Sequence, residues 1–226
     1  HALGGSWIDS SDVERRVGDC TFSDMTIFSF HPVKHVTTGE GGAITTNNEA
    51  YYKLLLELRS HGITRDSSRL REQHGGWYYE MQRLGFNYRL TDIQAALGAK
   101  QLERSDVWAK RRRELVARYD LELKSIAQLT PQHHSEYQKP SYHLYIVRVK
   151  ERKRLYDYLR KQNIFTQVHY IPIHMQPFYQ DHYGTSQGQY PEAEAYYEEA
   201  LSLPLFPKMS DEDQQDVIEA VRAFYG

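Results

Sequence analysis

Lys34 is the residue whose surroundings most favour covalent chemistry. It follows Pro32 and is flanked by His31 and His35, between an apolar aromatic run and a cluster of glycines. The proline stiffens the backbone, and positively charged neighbours favour the neutral, nucleophilic form of an amine. Such an amine is suited to forming Schiff bases with carbonyl groups. The alternative is an exposed loop lysine, the commonest setting for this residue type.

The eleven histidines raise the question of a metal site. His31 and His35 have a ligand-like spacing, but Pro32 lies between them in a predicted loop, and a proline also separates His169 from His174. Neither pair is held on a regular element, so the sequence predicts no metal site. The basic run at 110–113 is interpreted as a solvated helix face, because acidic residues outnumber basic ones in the rest of the chain.

Two predicted strands and a helix must position Lys34. Residues 25–30 are apolar, aromatic and threonine-bearing, and residues 42–46 follow the glycine cluster, so each favours a strand. Asn48 then has the character of an N-cap, and apolar residues recur at helical spacing until Gly62 provides a stop. The lysine therefore lies in a loop between two strands.

The middle of the chain changes character twice. No period is sustained from 64 to 90, which predicts a long structured loop, and such loops are often functional. Thr91 and Gln94 have capping-box spacing and start a long helix that breaks near Ser105 and continues to about Leu123.

The last third predicts further α/β structure. Residues 142–149 favour a strand, 151–162 a charged helix and 165–170 a second strand. Two closing helices follow, at 191–201 and 210–225, with Ser210 as the cap of the second.

Composition excludes several classes of protein. A formal net charge of −2 argues against a nucleic-acid-binding domain, and a mean hydropathy of −0.71 without a long apolar run predicts no membrane span. A single cysteine, Cys20, cannot form an intramolecular disulfide, which favours the cytoplasm. The chain opens at His1 without a methionine or a signal sequence, so we expect it to be a piece of a longer protein.

Five segments of the chain resemble the DegT/DnrJ/StrS family of sugar aminotransferases, which use pyridoxal 5'-phosphate (PLP). The lysine loop is the most specific of them, and within the family it is most similar to the branch of pseudaminic acid biosynthesis. The segments are FSFHPVKHVTTGEGGA at 28–43, LRSHGITRD at 58–66, LGFNYRLTDIQAALGAKQL at 84–102, VHYIPIHMQPFY at 168–179 and LSLPLFP at 201–207.

The resemblance assigns roles to residues around the lysine. It implies that Lys34 links covalently to PLP and then moves the proton between cofactor and sugar carbon, that Ser29 binds the PLP phosphate, and that Asn87 reaches the phosphate of a partner subunit. The alternatives are a strand-end serine bonded to nearby backbone and a turn-forming asparagine.

Further residues are implied to contact cofactor or substrate. His1 matches a position that touches the ring hydroxyl of the cofactor, and His169 and Tyr170 border the nucleotide-sugar pocket. The alternatives are a chain-end histidine and ordinary strand-end residues. The family's aspartate that pairs with the pyridinium nitrogen is expected three positions before His1, outside this chain.

The implied fold is α/β, the C-terminal part of a fold-type I PLP aminotransferase. Residues 1–115 would be the end of the large PLP-binding domain and 116–226 the small C-terminal domain. The implied reaction transfers an amino group, from L-glutamate, to a UDP-4-keto-6-deoxy-N-acetylhexosamine in a homodimer. The alternatives are another nucleotide-sugar aminotransferase of the family and a catalytically silent fragment.

Overall fold

The computed structural model describes residues 1–226. The chain divides into two compact units, residues 1–106 and residues 107–226. The sequence placed the domain boundary at 115, which lies inside a helix that begins at Ser105. That the two units are the large and small domains of an aminotransferase stays a prediction.

Both units combine short strands with helices. The strands are β1 Ser6–Ile8, β2 Glu14–Arg16, β3 Thr26–Ser29, β4 Gly42–Thr45, β5 Ile63–Thr64, β6 Glu80–Met81, β7 Leu129–Pro131, β8 Gln138–Lys139, β9 Tyr145–Val149 and β10 Ala200–Leu203. The α-helices are α1 Glu49–Leu58, α2 Asp92–Leu102, α3 Ser105–Leu123, α4 Arg152–Lys161, α5 Pro177–Tyr183, α6 Pro191–Glu199 and α7 Asp211–Tyr225, and a 3-10 helix spans Ile173–Met175. None of these helices is both long and apolar enough to span a bilayer.

The first unit is built on antiparallel strand pairs. β1 pairs with β2, β3 with β4 and β5 with β6. Phe28, Phe30 and Val36 form a small core that joins β3 to the loop after it. Three partly buried side chains pack on this core: Leu3, Val17 and Ala43.

Capping fixes the helices of the first unit where the sequence placed them. The Asn48 carboxamide oxygen accepts hydrogen bonds from the backbone N–H groups of Ala50 and Tyr51. Asn48 is therefore the N-cap of α1, which begins at Glu49. Thr91 and Gln94 form the predicted capping box at the start of α2. The predicted helix break near Ser105 is also confirmed, because α2 ends at Leu102 and α3 begins at Ser105.

The second unit has one antiparallel sheet, in the order β10-β9-β7. Its register pairs Ala200 with Arg148 and Leu129 with Val149. Apolar side chains of α3, α4 and α7 pack with the sheet in a continuous core. The core positions on the sheet and helices include Tyr119, Leu123, Val147, Val149, Leu155, Leu159, Leu201, Val217, Ile218 and Val221.

The predicted strand at 165–170 is wrong. Only an isolated bridge, Gln167 to Ser202, forms there, and the central strand β9 instead pairs with β10. The sequence predicted a helix that ends at 201, which takes in the first two residues of β10, and no strand there. All four of its residues are buried, so the alternation that marks a half-buried strand is missing.

The predicted solvated face at 110–113 is also wrong for Arg112. This side chain is only 6% exposed, and its Nη1 donates to the backbone carbonyls of Tyr142, His143 and Leu205 at 3.0–3.2 Å. Burial lowers its pKa to about 10. Arg112 therefore joins α3 to two loops of the second unit.

Candidate active site

The loop that carries Lys34 is closed by backbone hydrogen bonds at its base. The Phe30 N–H donates to Gly41 O at 2.8 Å, and the Thr38 N–H donates to Phe30 O at 3.0 Å. Gly41 has a φ of +152°, and a Cβ there would lie 2.4 Å from the Thr38 hydroxyl. The glycine is therefore required for the chain to close tightly behind Lys34.

Helix α2 supports the same loop from one side. The Gln101 carboxamide accepts the Thr37 N–H at 3.2 Å and donates to Thr37 O at 2.7 Å. Gln94, the capping-box residue, donates to Glu40 O at 3.0 Å. Gln101 thus holds the loop at Thr37, and Gln94 holds it at Glu40. The lysine loop is therefore fixed although it has no regular structure.

Lys34 and His1 lie together. The Lys34 Nζ and the His1 Nε2 share a hydrogen bond, although the residues are 33 positions apart. Lys34 is half-buried and His1 is exposed, while the Lys34 N–H donates to His31 O at 3.0 Å. An amine and an imidazole in contact can pass a proton between them.

Ser29 lies at the end of β3, where the lysine loop begins. It is exposed, and its hydroxyl accepts only a long hydrogen bond, 3.4 Å, from the His31 N–H. The hydroxyl is thus available to donate to an anionic group near the loop. The contact with His31 is also the nearby backbone bond that the alternative role predicted.

Backbone hydrogen bonds hold the chain on both sides of Asn87, and its side chain is exposed. The neighbouring Phe86 N–H donates to Leu58 O at 2.7 Å, and the Tyr88 N–H donates to Arg59 O at 2.9 Å. Asn87 itself forms a bridge with Ser60. Its carboxamide makes no hydrogen bond within the chain, and so none to Lys34.

A buried carboxylate that the sequence did not reveal holds the segment leading to Asn87. The Glu57 side chain is 9% exposed and pairs with Arg69 and, at 3.0 Å, with Arg83. The hydrogen bond from Arg69 is the main cause that holds the pKa of Glu57 below its usual range. In the helix pattern, the charge of Glu57 predicts an exposed side chain. Its two arginine partners lie in a stretch without periodicity, so the sequence does not predict the pairing.

His169 and Tyr170 lie in an irregular segment of the second unit. The His169 Nδ1 and the Ser202 hydroxyl are 2.8 Å apart. The His169 and Tyr170 rings meet edge to face at 4.7 Å, across a cis peptide bond. Tyr170 remains 69% exposed, so its ring is open to a ligand.

A second buried pair follows in the same unit. His174 Nε2 and Glu194 Oε1 are 2.8 Å apart, and both side chains are buried or nearly so. The sequence weighed His174 as a metal ligand and, by resemblance, as a neighbour of the nucleotide-sugar pocket; the structure gives it a carboxylate partner. No group of three or more side chains that could hold a metal ion occurs in residues 1–226.

The side chains around Lys34 fit a cofactor with an aldehyde and a phosphate. A primary amine in contact with an imidazole can form and protonate a carbonyl adduct, and a strand-end hydroxyl can donate to a phosphate oxygen. This donor set agrees with the chemistry of PLP.

Comparison with known proteins gives one consistent family. Residues 1–222 match the DegT/DnrJ/EryC1/StrS aminotransferase family. The chain is 40% identical to the spore coat polysaccharide biosynthesis protein SpsC of Bacillus subtilis, over 92% of this chain and 55% of that protein. It is 35% identical to a UDP-4-amino-4,6-dideoxy-N-acetyl-β-L-altrosamine transaminase of Campylobacter jejuni, over 96% of this chain and 54% of that protein.

A solved structure has the same fold. The PLP form of a protein described as a sugar aminotransferase, Spr1654 of Streptococcus pneumoniae, superposes with a TM-score of 0.85 at 33% identity. The match covers 99% of this chain and 55% of that one. The predicted fold class is confirmed, and the chain spans about half the length of the curated relatives it matches.

Proposed function

Because the chain belongs to the DegT/DnrJ/EryC1/StrS aminotransferase family, we propose that the full-length protein is a PLP-dependent sugar aminotransferase. It transfers an amino group from an amino-acid donor, L-glutamate, to the ketone of a nucleotide-linked sugar. The observation that carries the proposal is the contact between the Lys34 amine and the His1 imidazole, in a loop that helix α2 holds at Thr37 and Glu40.

In this proposal Lys34 and His1 act at the reacting centre. PLP supplies an electrophilic aldehyde and a ring that accepts electrons when it is bound. Lys34 would hold the cofactor covalently and, as a free amine, would carry the proton to and from the substrate carbon. His1 orients the Lys34 amine, and Ser29 donates to the phosphate.

We propose that the protein is a homodimer in which Asn87 completes the site of the partner subunit. The support is a carboxamide without a partner in its own chain, on a segment rich in exposed apolar side chains that a single subunit leaves in water. These side chains are Trp77, Tyr79, Met81, Leu84, Phe86 and Tyr88.

For the substrate we propose a UDP-4-keto-6-deoxy-N-acetylhexosamine of the pseudaminic acid pathway, bound in part by His169 and Tyr170. The Campylobacter jejuni relative, named for this amino sugar, supports it. The higher identity to SpsC keeps a different sugar of the same reaction class as the second candidate. The alternative of a catalytically silent fragment applies to the 226 residues without the rest of the protein.

A product assay tests the substrate proposal. The full-length protein is loaded with PLP and incubated with L-glutamate and either the UDP-4-keto-6-deoxy-N-acetylhexosamine or a GDP-4-keto-6-deoxyhexose. We expect the amino sugar, detected by mass spectrometry, from the UDP substrate. Product from the GDP substrate alone would favour the second candidate, and no product from either would contradict the proposal.

A further inference from the structure

The segment with His169 and Tyr170 is attached to the second unit at both ends. At its start, the backbone groups of Gln167 and Ser202 exchange hydrogen bonds of 2.8 and 3.2 Å, and the Ser202 hydroxyl meets the His169 ring. At its end, the His174 ring meets the Glu194 carboxylate at 2.8 Å. The residues between these two attachments belong to no strand.

The second attachment is buried and shared. The side chains of His174 and Glu194 are 8% and 15% exposed, and the same Glu194 oxygen accepts the Gly188 N–H at 2.7 Å. The Thr185 hydroxyl donates to His174 O at 2.8 Å, and the Tyr190 ring packs on the His174 ring at 4.8 Å. One carboxylate in the first turn of α6 thus binds both His174 and the loop at Gly188.

What the two attachments hold in place is exposed and apolar. Tyr170, Ile171 and Ile173 are 69%, 47% and 63% exposed. Flexible chain would not keep three such side chains in one arrangement without fixed ends, because each free residue has many conformations. A segment ordered before binding saves that entropy when a ligand docks.

We propose that His174 and Glu194 are positioning residues, which hold Tyr170 and its neighbours in the arrangement that receives the nucleotide sugar. This inference rests on the proposed function, in which His169 and Tyr170 bind that substrate. In this inference the pair acts through the segment and not on the reacting atoms. Neither side chain belongs to the apolar core of the second unit.

Ligand affinity and proteolysis of the full-length protein test the inference. His174→Phe keeps a ring against Tyr190 but removes the hydrogen bond to Glu194. The matched control is His182→Phe, on an exposed histidine of α5 whose ring hydrogen-bonds Phe178 O within the helix. Glu194→Gln is the conservative variant, because its side-chain oxygen still accepts the Gly188 N–H and an uncharged bond from His174.

We expect His174→Phe to weaken UDP-sugar binding, measured by calorimetry without amino donor, by about tenfold, the equivalent of one charge-assisted hydrogen bond. The KM for the sugar should rise equally, while the half-reaction with L-glutamate is unchanged. Chymotrypsin should cleave His174→Phe after Tyr170 faster than it cleaves His182→Phe. The cleavage rate of Glu194→Gln should lie between these two rates.

The outcomes separate this inference from the proposed function. Wild-type protein without affinity for the UDP sugar would overturn both. Wild-type affinity that His174→Phe retains in full, with cleavage after Tyr170 no faster than in the control, would overturn the positioning role alone. Equal loss of the L-glutamate half-reaction and of sugar affinity would also overturn it, because a positioning role for the sugar segment leaves the donor reaction intact.

Discussion

In the proposed function, the chemistry depends on Lys34, the lysine that the sequence singled out. Under that proposal, replacing Lys34 by alanine in the full-length protein removes both the covalent attachment of cofactor and the amine that carries the proton. We expect transamination to fall by at least about 10³-fold, since proton transfer by a positioned group alone contributes 10²–10⁴-fold. Single-turnover assays measure the loss. The control is Lys53→Ala, an exposed α1 lysine paired with Glu49.

Chemical trapping tests the same assignment independently of rate. Reduction of the loaded wild-type protein with borohydride should fix the cofactor on the peptide that contains Lys34. Cofactor found on another lysine would contradict the assignment.

Glu57 gives a residue-scale prediction about stability. Its folded-state pKa is depressed, chiefly by Arg69, so the carboxylate stabilises the fold above the pKa of an unfolded glutamate, about 4.3. This stability is lost as the pH falls through the lower folded pKa. We expect Glu57→Gln to cost about 1.5–3 kcal/mol near pH 7, the range for hydrogen bonds to charged groups.

Urea unfolding of the full-length protein at several pH values measures this cost. The difference between wild type and Glu57→Gln should shrink below about pH 4, as the wild-type carboxyl becomes protonated. Glu49→Gln, on the exposed side of the same helix, should cost little at any pH. A pH-independent difference would contradict the ion-pair explanation.

At this scale, the sequence singled out the lysine of the proposed site but not the buried charges. Lys34 could be found because proline, histidine and glycine surround it within a few residues. Glu57 and Arg112 could not, because their partners lie in distant loops without periodicity, and a charged residue in a helix pattern is ordinarily exposed. The contact of Lys34 with His1 is likewise a product of tertiary structure.

Helix α2 is the element that connects the fold to the lysine loop. Gln101→Ala removes both hydrogen bonds to Thr37 and leaves that backbone to water. We expect the full-length protein to bind PLP about threefold to tenfold more weakly, since the loss of a hydrogen bond costs about 1 kcal/mol. Fluorescence titration with PLP measures the affinity.

The matched control is Lys100→Ala. Lys100 precedes Gln101 on α2 but is exposed and paired with Glu103, so its loss should leave PLP affinity unchanged. Equal effects of the two substitutions would show that helix propensity, and not the tie to Thr37, supports the loop.

The elements themselves were predictable where local signals fix their ends. The caps at Asn48, Thr91 and Ser210 each have the side-chain bonds that the sequence pattern predicts. β10 was missed because it follows α6 directly and is buried throughout. The pairing of β9 with β10, rather than with residues 165–170, depends on tertiary contacts.

For the whole molecule, the proposed homodimer shares its sites between subunits. Asn87→Ala and Lys34→Ala each inactivate a homodimer, because each removes one member of every site. In a hybrid dimer both losses fall on the same site, if Asn87 acts in the partner's site, and the other site is intact. Random exchange of equal amounts should therefore restore about a quarter of the wild-type activity.

Subunit exchange makes the test decisive. The two variants carry different affinity tags, and co-purification measures the fraction of hybrid dimers directly. Activity should rise in proportion to that fraction, because only hybrids contain an intact site. Hybrids that form but stay inactive would place Asn87 in the site of its own subunit. Backbone hydrogen bonds hold the Asn87 segment at the end of α1. The Asn87 carboxamide, which has no hydrogen-bond partner in the chain, would then have to act in the site of its own subunit.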